Sequence, residues 1–284
     1  MTSERILRAN GVDLCLETFG DPNDPAILLI AGVAGSMLSW EDEFCERLAA
    51  GSRFVIRYDQ RDTGRSVTYE PGAPKYTGPD LVDDAVGILD ALGVDRAHIV
   101  GISAGGGIAQ FLALDHPDRV ASLTLISTSG GPGDPDLPGT SEDLREHLAS
   151  PPPEPDWADR TAVIDYVVED ARHYAGKSRP FDETAWRELA GRDFDRSANV
   201  ASSMKNHVLI EGGGDRWRER LGEIRIPTLV LHGTEDPLFP YEHGVALANE
   251  IPGARLLPLE ETGHELPRGI WDVVVGAILK HTGH

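Results

Sequence analysis

The sequence predicts an α/β fold: a mostly parallel, eight-stranded sheet with helices on both faces and an inserted helical cap. Three observations carry that prediction. Short, continuous apolar runs alternate with helical patterns from residue 26 to 126 and resume after 228, the pattern of strands buried on both faces. The rhythm breaks between about Gly130 and Gly222, where helical patterns continue without any strand run. Between two of the repeating units stands Gly101-Ile102-Ser103-Ala104-Gly105, a serine at a strand-to-helix junction with a glycine two residues to either side.

Taken in order, residues 6–9 and 12–19 flank Asn10-Gly11, a hairpin signal. Residues 26–31 (AILLIA) read as a buried strand, 41–50 as an amphipathic helix, 54–58 as a strand and 81–92 as a helix. Residues 97–102 are the strand before Ser103, 106–114 (GIAQFLAL with its leading glycine) a buried helix, and 121–126 the sixth strand. The cap follows it. It opens with GGPGDPDLPG, contains Pro151-Pro152-Pro153, and offers helical patterns at 162–174 and 183–191. A long decorated surface loop is the competing description. Trp157, Tyr166, Tyr174, Trp186 and Trp217 give the segment enough aromatic surface to form packed helices. For Trp157 and Trp217, core and pocket placements stand equal. Residues 228–232 and 255–259 resume the strands, a helix carrying His243 lies between them, and 270–279 is a closing helix. The predicted division is 1–130 for the first part of the core, 131–222 for the cap and 223–284 for the second part.

A net charge of -21 opposes any phosphate-backbone partner, so no nucleic acid is expected; acidity of this kind serves solubility. Cys15 and Cys45 have no metal-site spacing. They read as reduced and structural, with a single disulfide as the alternative. The N-terminal MTSERILRANGVDL has no apolar signal core and no run reaches membrane-spanning length. The expected location is cytoplasmic, without a membrane partner.

Sheets of this kind place reactive groups at the carboxyl ends of their strands, and Ser103 stands at one. A serine hydroxyl needs a base to take its proton during attack, and the base needs an orienting carboxylate. Where a serine sits on such an elbow, the acid and then the histidine follow in chain order. Asp236, in His232-Gly233-Thr234-Glu235-Asp236-Pro237, lies just past a strand and is the best acid; Glu235 is its one close rival. His264, in Glu261-Thr262-Gly263-His264, follows the last strand and is the best base. His98 lies within a strand, His116 ends a helix, His147, His173 and His207 belong to the cap, and His232 precedes the acid. Attack on an ester creates an oxyanion that needs preorganised N–H donors. Ala104 supplies one, and the loop Ala31-Gly32-Val33-Ala34-Gly35-Ser36 the other, through Val33 with Ala34 as fallback. The chemistry needs no cofactor, and no metal-binding cluster such as HExxH is found.

With these segments in place, the chain resembles the α/β-hydrolase fold family over almost its whole length outside the cap. Asp59-Gln60-Arg61-Asp62-Thr63-Gly64-Arg65-Ser66 resembles the family's segment after the fourth strand, with Asp62 where many relatives have glycine. Ala31 stands before Gly32 where histidine is common. RYDQRDTGRS, GVDRAHIVGIS and TEDPLFP further resemble aclacinomycin methylesterase-type esterases. The resemblance implies a serine hydrolase cleaving a carboxylic ester, a methyl ester of a polyketide-like or other apolar small molecule, through an acyl-enzyme. The same triad serves C–C or amide hydrolysis or cofactor-free perhydrolysis elsewhere, and a ligand-binding protein without turnover is the alternative of another class. Haloalkane dehalogenation is disfavoured by serine at the elbow. Tyr174, Trp186, Met204 and His207, in or between the cap helices, are the expected substrate-binding residues.

Overall fold

The central apolar runs become buried strands, while the first and last strands are more exposed. The computed structural model describes residues 4–131, 133–210 and 217–283. β1 (Arg5–Ala9) and β2 (Val12–Phe19) form the predicted hairpin, with Asn10 and Gly11 both at positive φ, as the tightest hairpin turns require. β3 (Ala26–Ile30), β4 (Phe54–Tyr58), β5 (Ala97–Ile102), β6 (Val120–Ile126), β7 (Thr228–Gly233) and β8 (Arg255–Leu259) complete the sheet. Its order is β1-β2-β4-β3-β5-β6-β7-β8. β2 runs antiparallel to β1 and β4, and every other pairing is parallel.

Side chains alternate across the pleat, and that alternation builds two apolar layers. Leu28, Ile30, Ile56 and Ile99 meet α2 (Gly78–Ala91) and α3 (Ala104–Asp115) on one face. Ile27, Leu29, Val55 and Val100 meet α1 (Asp42–Ala49) and the last helix (Trp271–Thr282) on the other. Each fully buried Leu or Ile contributes about 1.5–3 kcal/mol. The second helix starts three residues before the predicted residue 81. Thr77 precedes it, and its backbone N–H and hydroxyl both donate to Asp80 Oδ2 at 2.8 Å, a start signal set by the T-x-x-D spacing. Cys15 and Cys45 are both free and buried; burial pushes both thiols up to about 12.

The inserted stretch carries α4 (Glu142–Ala149), α5 (Arg160–Arg172), α6 (Glu183–Arg196) and α7 (Val200–Asn206). α8 (Glu242–Glu250) and α9, the last helix already described, return to the core. α5 and α6 share a small core of Ile164, Val168 and Ala190, with Phe181 and Trp186 packed on it. The predicted cap boundary at 222 falls beside side chains that pack on the core. Trp217 lies 4.9 Å from the Phe111 ring and donates to Gln110 Oε1 at 2.8 Å, and Leu221 and Ile224 join the same core layer as α3. Trp217 and Leu221 thus pack in the core layer beside α3. Trp217 is a core residue. Trp157 is half-buried, with its ring edge-on to Tyr166 at 5.8 Å.

Charge fastens the cap to the core. The fully buried Asp59 carboxylate accepts from Met37 N–H and Arg65 N–H, both at 2.9 Å, and from both terminal nitrogens of Arg196 on α6, at 3.0 and 2.7 Å. Gly64 sits at φ 50, and a Cβ there would overlap both Asp59 and Arg196. Removing one partner of a buried pair strands the other charge. Arg196→Met is expected to lower unfolding free energy by about 3 kcal/mol or more in urea titration. Arg160→Met, which breaks the exposed Arg160–Asp195 pair, should cost less than about 1 kcal/mol.

Candidate active site

Ser103 ends β5 and opens α3 at φ 54, ψ -123, a conformation that costs a non-glycine residue about 1–3 kcal/mol. The surroundings hold it there. Ser103 N–H donates to Ile126 O at 3.0 Å, and its own carbonyl accepts from Gly106 N–H at 2.9 Å and Thr128 Oγ1 at 2.8 Å. A Cβ on Gly101 would overlap the Gly105 carbonyl, and one on Gly105 the carbonyls of Ile30 and Ala31. The two glycines let strand and helix close on the turn.

Strand ends bring the partners. Asp236 follows β7 and is buried. Its Oδ1 accepts from Leu238 N–H and Phe239 N–H, both at 2.9 Å, leaving Oδ2 for His264 Nδ1 at 2.8 Å. His264 Nε2 lies 2.8 Å from Ser103 Oγ. With Nδ1–H donating to the carboxylate, Nε2 is free to accept the serine proton. Glu235 instead accepts from Ser178 N–H at 2.9 Å and from its hydroxyl, so the rival acid serves the cap. His232, fully buried, donates from Nε2 to Phe239 O at 2.7 Å and stands 3.6 Å from Asp236. Burial pushes its pKa down and keeps it neutral.

The loop after β3 lies over the serine: a Cβ on Gly32 would stand 3.2 Å from Ser103 Cβ. Ala34 is at φ 59, and its N–H donates to His207 Nδ1 at 3.1 Å. That bond commits the Ala34 N–H elsewhere. Ala31 keeps its carbonyl bound to Gln60 Nε2 at 2.9 Å. Asp62, the residue where glycine is common, is at φ 66. Its carboxylate receives Tyr69 N–H at 2.6 Å and Asn206 Nδ2 at 2.8 Å, and its carbonyl receives Ser203 Oγ at 2.6 Å. Aspartate tolerates the left-handed region, and here its side chain ties α7 to the core.

Of the expected substrate-binding residues, Tyr174 is brought to the base. Its ring centroid is 6.1 Å from that of His264, its carbonyl accepts His264 N–H at 2.8 Å, and burial pushes its phenol up to about 12. Trp186 stacks on Phe181 in the cap's own core. Met204 lines an open cleft of about 310 Å³ with Gly72, Trp157, Tyr166, Val208 and Leu209. His207 has both ring nitrogens engaged with core backbone. Phe239, missed in the sequence, stands 5.5 Å from the His264 ring. The signal was present: the acid's turn places its third following residue where Asp236 captures the N–H. Among the described residues no group of three His, Cys, Asp or Glu side chains is arranged to hold a metal, and no helix is long and apolar enough to cross a membrane.

A family model described as alpha/beta hydrolase fold matches residues 25–267. The rhodomycin D methylesterase DauP of Streptomyces sp. (strain C5) is 36% identical, over 98% of this chain and 97% of its own. A putative carbamate hydrolase, RutD, of Variovorax paradoxus (strain S110) is 32% identical over 87% of this chain and 88% of its own. Among solved structures, the 2-hydroxy-6-oxo-6-phenylhexa-2,4-dienoate hydrolase from Rhodococcus sp. strain RHA1 superposes with a TM-score of 0.78 at 22% identity, covering 100% of this chain and 99% of that one. Elbow, strand order and sequence likeness agree, and the chain belongs to the α/β-hydrolase fold family.

Proposed function

We propose that this chain is a serine esterase that hydrolyses a methyl ester of an apolar, polyketide-like carboxylic acid. One observation carries the reading: the uninterrupted relay from Ser103 Oγ to His264 and on to Asp236, with both contacts at 2.8 Å. Ser103 Oγ attacks the ester carbonyl as His264 Nε2 takes its proton. The oxyanion is held by the N–H groups of Ala104 and Val33. Collapse breaks the C–O bond, and His264 returns the proton to the departing methanol. Water then attacks the acyl-enzyme, gives a proton to His264, and frees the acid and the serine. Asp236 keeps the imidazole in the required tautomer throughout. The choice of ester follows the likeness to the rhodomycin D methylesterase and the resemblance of RYDQRDTGRS, GVDRAHIVGIS and TEDPLFP to aclacinomycin methylesterase-type esterases. The Tyr174 and Phe239 rings stand beside the base, and Met204 lines an open cleft with Trp157 and Tyr166.

Ser103→Ala should lower kcat on a p-nitrophenyl ester by roughly 10⁴–10⁶-fold and abolish labelling by a fluorophosphonate, with the fold intact by circular dichroism. Retained turnover sinks the nucleophile. Among substrates, kcat/KM for methyl esters of aromatic polyketide acids should exceed that for matching carbamates and amides; the reverse order assigns the triad to another bond.

Wall and cap-core positions separate in a second measurement. Tyr174→Ala and Phe239→Ala should reorder kcat/KM across a series of esters, by about 10–200-fold between the extremes. Trp186→Ala should leave the order unchanged and lower stability by about 1–3 kcal/mol. Equal losses on every ester in the first pair would place Tyr174 and Phe239 outside the pocket.

A further inference from the structure

His207 closes α7, where the cap meets two core loops at once. Its Nδ1 accepts the Ala34 N–H at 3.1 Å, and its Nε2 lies 2.7 Å from Arg61 O. A backbone N–H can only donate and a carbonyl can only accept, so these partners fix the ring as neutral with its proton on Nε2. Burial, which pushes its pKa down, favours that same neutral form. The Tyr76 ring meets it edge-on at 6.3 Å. The histidine is thus locked by two hydrogen bonds and a packed aromatic, with no ring nitrogen left for a ligand.

The loop that it holds is under strain. Ala34 adopts φ 59, and Gly35 N–H closes the turn on Gly32 O at 3.2 Å. Left-handed backbone at a residue with a Cβ persists only where its surroundings over-determine it. The bond to His207 grips the peptide joining Val33 to Ala34, one unit beyond the peptide that carries the Val33 N–H. An oxyanion donor works only when held about 2.7–3.1 Å from where the charge develops, so a relaxed loop loses transition-state binding before it loses substrate binding.

We infer that His207 is a positioning residue, a strut from the cap that holds the 32–35 loop so that Val33 N–H faces the oxyanion formed on Ser103. The inference rests on the proposed roles of Ser103 and Val33. It makes the cap a structural component of the oxyanion hole as well as a cover for the substrate.

The test uses the full chain, a p-nitrophenyl ester, and a trifluoromethyl ketone inhibitor whose adduct with the serine carries the same oxyanion. His207→Phe keeps an aromatic ring against Tyr76 and removes both bonds. Its kcat should fall about 10–100-fold, with inhibitor affinity weakened by a similar factor and KM changed less than about threefold. His207→Asn places an amide oxygen near the position of Nδ1 and should recover most of the loss. His207→Gln reaches toward Arg61 O and should not. If the Phe variant fails to fold, the Asn and Gln variants carry the test, with kcat higher in Asn by about tenfold. Unchanged kcat and inhibitor affinity, a rise in KM alone, or equal kcat in Asn and Gln overturns the strut. Ser103→Ala separates the two readings. If it retains turnover, both fall; if it is inactive while the Asn and Gln variants are equal, only the strut falls.

Discussion

The left-handed backbone of Ser103 is the constraint on which the rest of the site depends. A residue with a Cβ at φ 54 is unfavourable alone, and here three hydrogen bonds and two glycines hold it in place. The packing that holds it also aims it. Ser103 N–H is bound to the end of β6, its carbonyl receives Thr128, and the loop after β3 crosses within contact of its Cβ. Three strand ends therefore converge on one turn, while Asp236 and His264 arrive from the ends of the next two strands. The parallel sheet makes this convergence possible, because its carboxyl ends share one edge.

Electrostatics then sets the acid–base order. Asp236 is buried but receives two backbone N–H groups and one imidazole N–H, and hydrogen bonds to the charged form offset the cost of burying a carboxylate. His232 lies close to the same carboxylate yet is turned away to Phe239 O. Its burial favours the neutral form, and its Nε2 proton goes to Phe239 O, not to Asp236. The buried polar groups at the cap seam follow the same rule. Asp59 and Asp62 each accept from donors supplied by the cap, and buried charges persist where they are paired and fully hydrogen-bonded.

Much of this was legible in the sequence, for a physical reason. Buried parallel strands leave unbroken apolar runs such as AILLI, and the elbow needs glycine at 101 and 105 because no Cβ fits against the facing carbonyls. Ser103 directly follows such a run, while Asp236 and His264 stand in the loops that leave the last two strands. Helix starts were less legible: the Thr77–Asp80 cap extends α2 beyond its apolar pattern. The cap was the hardest part. Its helices bury little surface each, so the aromatic pattern of Trp186 fits a small local core as well as a substrate wall, and only packing against Phe181 and Ile164 separates the two. Trp217 was ambiguous for the same reason until Gln110 and Phe111 supplied its surroundings.

His207 is less legible for a different reason, and that reason bears on how the enzyme is organised. A histidine on a cap helix offers two polar atoms, and sequence alone cannot say whether they face a ligand or the chain's own backbone. Here both are spent on the backbone, at Ala34 and Arg61. Helix α7 thereby does two jobs through adjacent residues. Met204 lines the open cleft, while Asn206 and His207 bind the loops around Asp62 and Ala34. A change that shifts α7 to admit a different substrate also shifts the grip on the 32–35 loop. On the roles inferred for His207 and proposed for Val33, substitutions in α7 should alter transition-state stabilisation through the 32–35 loop, whereas those at Tyr174 or Phe239 need not.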